Sequence, residues 1–190
     1  MRCLICGKIS FRSVCQNCKE DIALYPRMRE LEEGFRVYSF YEYSSNAMLF
    51  ASKYQTIGSK IYTILSKKAV LYLVKNLEFS LECYGVGIDE DVKRGYAQNS
   101  IFLKELKKIG IKPLYGSLKA RNKVTYAGKD LEFRLKNPRN FKPNSRFANK
   151  RIVLVDDIIT TGTTLKEARE MVQKCGGEVV CAFVLGDAKK

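Results

Sequence analysis

Histidine and tryptophan are both absent from this chain of 190 residues. Without an imidazole, the Ser-His-Asp hydrolases, Cys-His proteases and HExxH zinc enzymes are excluded, and so are imidazole metal ligands. No apolar run reaches the ~18 residues of a membrane span. Met1–Ser10 carries Arg2, Lys8 and two cysteines but no apolar core, so it is not expected to be a secretory signal. There is also no GxxxxGK followed by Ser or Thr, which removes a P-loop nucleotide site. Internal repeats and low-complexity tracts are missing.

What is present is an ordinary globular composition, 46% hydrophobic and 28% charged, enough for one domain with a small satellite. The net charge of +14 is unevenly placed: residues 91–150 hold 16 basic against 4 acidic residues, whereas residues 37–90 and 151–190 are balanced. A basic third of this kind is the footprint of a polyanion, either a phosphorylated small molecule or nucleic acid. A Lys-rich surface from a biased genome is the competing reading, although that bias left the flanking segments untouched.

Four of the seven cysteines fall within the first eighteen positions, as Cys3-Leu-Ile-Cys6 and Cys15-Gln-Asn-Cys18. Two such knuckles bring four thiolates onto one tetrahedral ion and make a closed, structural zinc site with no position open for water. Gly7 supplies the backbone freedom for the first turn. A pair of disulfides is the rival, disfavoured because Cys83, Cys175 and Cys181 look like unpaired thiols of a reducing compartment.

The remainder alternates. Strands are expected at Phe35–Tyr43, Glu82–Ile88, Ile111–Ser117, Arg151–Val155 and Glu178–Leu185. Helices are expected at Ser44–Tyr54, Ser59–Leu77, Tyr96–Ile109 (stopped at Gly110) and Thr163–Cys175. Between them lies a long basic stretch, Leu118–Lys150, with a helical turn pair around Asp130–Lys136, long enough to suspect function. The order predicts an α/β fold with a mostly parallel sheet flanked by helices. A four-cysteine module over residues 1–34 is expected to precede a second domain over 35–190, the second with its own core.

The chemistry concentrates at Ile152–Thr164, IVLVDDIITTGTT. A strand buried on both faces delivers Asp156 and Asp157 to the sheet edge where open α/β folds bind ligands. Thr160, Thr161, Gly162, Thr163 and Thr164 then lead into a helix, and hydroxyls with a flexible Gly at a helix N-terminus cradle a phosphate. Carboxylates for a diol beside a nest for a phosphate describe a ribose 5-phosphate. Two other readings stand beside it: a Walker B strand, which lacks its P-loop, and a structural strand end with Asp157 as a helix cap.

VLVDDIITTGTT resembles the phosphoribosyl pyrophosphate signature of type I phosphoribosyltransferases. The arrangement of nearly the whole chain resembles the ComF family, competence proteins with a cysteine knuckle pair before a phosphoribosyltransferase domain. Tyr41-Glu-Tyr43, Lys53-Tyr54 and Gly58 match its early stretches. Lys93-Arg94-Gly95-Tyr96-Ala97-Gln98 is similar to its R-G-F-N-Q motif, with Ala97 in place of Asn. Arg121-Asn-Lys123-Val-Thr125, Arg134-Leu-Lys-Asn137 and Phe141 are similar to a further basic run in which Gly128 replaces the usual Gln. Gly85-Val86-Gly87-Ile88 stands for the family's pyrophosphate strand end, with Asp89-Glu90-Asp91 where basic residues are the rule.

The resemblance implies a type I phosphoribosyltransferase fold and the following roles. Asp156 and Asp157 would hold the ribose hydroxyls, directly or through Mg²⁺, and Thr160 to Thr164 would wrap the 5′-phosphate. Lys53, Lys93 and Arg94 would neutralise pyrophosphate, with Gly85–Ile88 approaching it. The stretch Lys119–Arg146 would form a hood over the acceptor, and Tyr115, Tyr126, Phe133, Phe141 and Phe147 among its cations would suit a groove that stacks bases of single-stranded DNA. In the hypoxanthine–guanine branch the position corresponding to Thr160 carries an acid, which argues against 6-oxopurine salvage and leaves an orotate-like arrangement with Thr-Thr-Gly open. The favoured expectation is a cytoplasmic competence protein of natural transformation, binding single-stranded DNA and phosphoribosyl pyrophosphate. A DNA-uptake helicase or inner-membrane channel is a candidate partner, with peripheral contact at the inner face of the membrane. An active phosphoribosyltransferase of unknown acceptor is the alternative, and a nucleotide-gated regulator the third reading.

Overall fold

The computed structural model describes residues 1–76, 82–88, 92, 95–122 and 131–189. Its centre is a six-stranded sheet ordered β1(Arg27–Glu32), β2(Phe35–Glu42), β8(Glu178–Asp187), β7(Arg151–Ile159), β3(Tyr84–Gly87), β4(Lys112–Pro113). The five strands from β2 to β4 run parallel, and β1 alone is antiparallel, paired to β2. The fold is therefore the expected α/β class with a mainly parallel sheet. The central strand β7 reads RIVLV because both of its faces are covered. Val153 and Val155 join the apolar cluster under helices α3(Gly58–Asn76) and α4(Gln98–Leu106), while Ile152 and Leu154 join the one under α6(Thr163–Lys174).

Several elements depart from expectation. The helix expected over residues 44–54 is a five-residue helix, α2(Ala47–Ala51), flanked by 3₁₀ turns at Ser44–Asn46 and Ser52–Tyr54. The basic stretch is not one irregular loop: β5(Leu118–Ala120) and β6(Phe141–Pro143) form a two-stranded antiparallel ribbon, with a short helix α5(Leu131–Lys136) between them. Phe141 and Phe147 are buried in the core beneath α6, so neither can stack on a base. Gly110 does end its helix in the left-handed conformation, φ +82°.

Strand β1 lies before the boundary expected at residue 34, yet it is hydrogen-bonded along β2. Its outward residues Met28, Glu30 and Glu32 are exposed, and the two carboxylates blunt the sheet edge. The cysteine module also packs against the sheet and helices. Cys3, Val14, Cys18 and Ile22 belong to the same apolar cluster as Phe40, Tyr41, Leu65 and Phe102. Lys68 of α3 fastens the module: its ammonium donates to the carbonyls of Lys19, Glu20 and Ile22 at 2.9, 3.2 and 2.6 Å, at the C-terminal end of α1(Gln16–Asp21). A cation is the favoured group there, because the last carbonyls of a helix carry partial negative charge.

Lys68→Met should therefore lower stability by about 1 to 2 kcal/mol, since charged hydrogen bonds to half-buried carbonyls are lost. The module and sheet should still unfold together in urea, followed by circular dichroism and by thiol reactivity. Two separated transitions would show that the module folds on its own.

Candidate functional site

The site is made by an inequality of strand lengths. Strand β3 ends at Gly87, opposite Val155, and Ile88 gives its N–H to the Val155 carbonyl at 2.9 Å. β7 continues to Ile159 along β8. Asp156 and Asp157 thus stand just past the carboxyl end of β3, at the crevice where parallel sheets place ligands.

Each carboxylate has its own company. Asp157 is buried and accepts Lys53 Nζ at 2.8 Å and the Tyr62 hydroxyl at 3.4 Å, both on Oδ2. Burial opposes the charge on Lys53, but the Asp157 carboxylate prevails and holds the ammonium above its ordinary range. Asp156 Oδ1 accepts the Asp157 N–H at 2.8 Å and the Asn99 amide at 3.3 Å, and Asn99 is fixed in turn by the Ile88 carbonyl at 2.7 Å. Burial first, and the adjacent Asp157 charge second, push the Asp156 carboxyl up to about 7. Two neighbouring carboxylates with one paired cation leave room for a positively charged or hydroxyl-donating ligand.

Lys53 is held in place from behind. The Tyr96 hydroxyl reaches the carbonyls of Ser52, Lys53 and Gln55 at 3.3, 3.1 and 3.3 Å. Gly58 makes this possible, because a Cβ there would lie 1.9 Å from that hydroxyl. Gly85 is likewise a packing residue, since a Cβ would meet Leu103 at 2.5 Å. It lies inside β3 rather than in a loop free to approach a ligand. Lys93, Arg94 and the acidic run Asp89–Asp91 lie outside the described residues, as do residues 123–130.

Beyond β7 the chain turns through Thr160–Gly162 into α6. Gly162 sits at φ +84°, and a Cβ there would fall 2.6 Å from Leu31, so both conformation and space demand glycine. Gly162 is the N-cap of α6 and offers no capping side chain. Asp157 is therefore not its cap. The Thr161 and Thr163 hydroxyls are 2.9 Å apart, and Thr164 opens the helix with Thr163. Sequence reasoning did not find what supports this turn. Arg29 of β1 donates to the Thr160 carbonyl at 3.0 Å and to Asp187 at 2.9 Å, and Leu31, two residues on, packs on Gly162. The period-two spacing of Arg29 and Leu31 is the only sequence trace of this seat.

The four cysteines at the N-terminus converge: the sulfurs of Cys3, Cys6, Cys15 and Cys18 lie within 4.8 Å of one another. All are free thiols, and Cys6 and Cys15 Sγ are 3.8 Å apart. A tetrahedron with Zn–S of about 2.3 Å has an edge of about 3.8 Å, so the donor set fits a zinc ion. Backbone N–H groups lower the Cys3 thiol to about 6, while neighbouring sulfurs hold Cys18 above its ordinary range.

The basic stretch offers one further arrangement. On the β5–β6 ribbon Lys119 stands directly opposite Lys142, both exposed. Like charges across a strand pair are destabilising unless an anion lies over them. Tyr115 is half-exposed nearby in the chain.

The family model described as phosphoribosyl transferase domain matches residues 117–190. Competence protein F of Haemophilus influenzae is 32% identical over 102 residues, covering 50% of this chain and 44% of that protein. An adenine phosphoribosyltransferase of Desulfosudis oleivorans is 57% identical over 37 residues, or 19% of this chain and 21% of that protein. The chain thus spans less than half the length of each of these relatives. Among solved structures, adenine phosphoribosyltransferase from Saccharomyces cerevisiae superimposes with a TM-score of 0.46 at 16% identity, covering 89% of this chain and 88% of that one.

The raised Asp156 carboxyl has a measurable consequence. Between about pH 4 and about 7 an unfolded chain has lost a proton that the folded chain retains, so this group's contribution to stability falls as pH rises through that window and then levels off. Asp156→Asn should flatten the fall in thermal midpoint of the ligand-free protein from pH 5 to 8. An unchanged slope in the variant would contradict the assignment.

Proposed function

We propose that this chain, a homologue of competence protein F with a phosphoribosyl transferase domain over residues 117–190, binds phosphoribosyl pyrophosphate at the β7–α6 turn and single-stranded DNA on its basic ribbon, as a module of natural transformation. One observation supports the sugar-phosphate assignment above the others. Two adjacent carboxylates and a left-handed glycine at the start of a twelve-residue helix lie on one continuous turn, Asp156–Thr164. Asp156 and Asp157 suit the ribose diol. The hydroxyls of Thr161, Thr163 and Thr164, with the first N–H groups of α6, suit the 5′-phosphate.

Lys53 has two tasks in this reading. Without ligand it neutralises Asp157, and with ligand its ammonium lies beside a multiply charged pyrophosphate. Mg²⁺, when bound with the ligand, would supply charge neutralisation on the pyrophosphate, and Asp156 and Asp157 are the carboxylates placed to face it. Zn²⁺ would be held by Cys3, Cys6, Cys15 and Cys18 as a structural ion, since all four donors come from the chain. The DNA assignment is supported by the cross-strand Lys119–Lys142 pair, which has no ion pair among the described residues, and by the basic excess around it. A polyanion over the ribbon removes the like-charge repulsion.

The short, high-identity match to adenine phosphoribosyltransferase favours a second reading in which the pocket turns over. Pyrophosphate release in the presence of candidate bases separates the two.

Calorimetry with Mg²⁺ and phosphoribosyl pyrophosphate tests the pocket. Asp156→Ala with Asp157→Ala should abolish binding in a folded protein, because the buried strand before them supplies the stability. Thr164→Ala alone should weaken binding by about 1 kcal/mol, the loss of one neutral hydrogen bond. Unchanged affinity in the double variant would overturn the assignment. For the ribbon, Lys119→Ala with Lys142→Ala should make the log–log salt dependence of single-stranded DNA binding shallower by roughly 1.4, about 0.7 for each phosphate no longer neutralised. An unaltered slope would place the DNA elsewhere.

A further inference from the structure

The cysteine module meets helix α3 along a cleft of about 340 Å³, lined among others by Arg12, Ser13, Lys19, Ser59, Lys60 and Thr63. It lies outside the carboxylate site and away from the β5–β6 ribbon in sequence. Three cations and three hydroxyls face it, and among the described residues no carboxylate lines it. Among the described residues none of the three cations forms an ion pair. Arg12 reaches only the Gln16 amide oxygen, at 3.5 Å, and Lys60 the Ser13 hydroxyl, at 3.0 Å. Of the acids of α1, Glu20 accepts the amide N–H of Gln16, whose oxygen Arg12 reaches, and both Glu20 and Asp21 also act on Lys68. Three like charges gathered on one concave surface repel one another unless an anion fills it.

The loop bordering this cleft carries a second, unrelated signal. Phe11, next to Arg12, is fully exposed at 105%, and Ile9 is 86% exposed. Arg2, Lys8 and Arg12 belong to the same module. A fully exposed aromatic ring among cations is what single-stranded nucleic acid binds: a groove of positive charge for phosphates with a ring on which a base stacks.

We propose that the cleft between the cysteine module and α3 holds the phosphodiester backbone of single-stranded DNA through Arg12, Lys19 and Lys60, with Phe11 stacking on a base. This rests on the DNA-binding reading above and adds a second contact surface to it. The Ser13 hydroxyl accepts from Lys60 and keeps its own proton for a phosphate oxygen, whereas Ser59 and Thr63 donate theirs to the carbonyls of Thr56 and Ser59. Duplex DNA keeps its bases stacked and cannot offer one to Phe11, so the surface selects single strands. The competing account of these cations is that they only offset the thiolate charge of a metal-filled module. That account predicts a loss of zinc, and no effect on DNA, when they are removed.

The test uses the full chain loaded with zinc and a fluorescein-labelled 20-mer of deoxythymidine, read by fluorescence anisotropy. Arg12→Ala with Lys60→Ala should weaken binding about tenfold and make the salt slope shallower by roughly 1.4, with one zinc retained per chain. Phe11→Ala should weaken binding of the 20-mer about tenfold but barely alter binding of an abasic 20-mer, because only the stack is lost. The charge-preserving Arg12→Lys with Lys60→Arg should restore most of the affinity. If both alanine variants bind as wild type while Lys119→Ala with Lys142→Ala fails, DNA lies on the ribbon alone; the cleft proposal falls and the DNA reading stands. If the wild type does not bind the 20-mer at all, both fall. Loss of zinc without loss of DNA affinity in the Arg12/Lys60 variant also overturns the proposal.

Discussion

Strand β7 is hydrogen-bonded to a long neighbour on one side and a short one on the other, and the rest of the site depends on that difference. With β8 it pairs to Ile159, but with β3 only to Val155. The four residues beyond that point carry Asp156 and Asp157 past the edge of the layer while their backbone stays inside a sheet. A carboxylate on a free loop would lose conformational freedom each time it bound a ligand. Here the strand has already fixed it, and the apolar residues Ile152–Val155, all buried, supply the free energy. The cost is electrostatic. Two adjacent carboxylates in partly buried surroundings hold one of them, Asp156, partly protonated near neutrality.

The supports of this site come from elements that the motif itself does not include. Tyr62 of α3 and Asn99 of α4 bind the carboxylates from positions 95 and 57 residues away in the chain. Tyr96 braces the Lys53 turn against Gly58. On the opposite side Arg29 and Leu31 of β1 seat the threonine turn. Helix α3 also carries Lys68, so one rigid element touches both the Asp157 carboxylate and the carbonyls of the cysteine module. The cysteine module and the carboxylate site thus touch one helix and one apolar cluster.

Legibility in the sequence followed the strength of local patterning. An unbroken apolar run followed by Asp-Asp and Thr-Thr-Gly-Thr-Thr leaves little choice, and β7 and α6 start where the pattern puts them, although β7 runs on past the expected Val155 to Ile159. The cysteine knuckles were equally plain, because spacing alone brings the thiols together. β1 was hidden because Arg-Met-Arg-Glu-Leu-Glu has no apolar alternation; its inward residues are Arg29 and Leu31, and its stability comes from β2. The ribbon was hidden for the opposite reason. Three-residue strands carry no period, and Phe141 and Phe147 among lysines looked like exposed rings, although both fill the core under α6. Tyr62 and Asn99 could not be foreseen, since a single polar residue in a helix says nothing about what it will meet roughly 50 to 100 residues away.

The central claim is that the Asp156–Thr164 turn is a preformed seat for a ribose 5-phosphate. Amide chemical shifts on titration with Mg²⁺ and phosphoribosyl pyrophosphate test it most directly. The account predicts large downfield shifts at the amides of Thr161, Gly162, Thr163 and Thr164, where N–H groups meet phosphate oxygens. The amides of β7 from Ile152 to Leu154 should stay nearly still, because the strand is already in place. Saturable binding that leaves residues 161–164 unshifted while amides elsewhere move would contradict it.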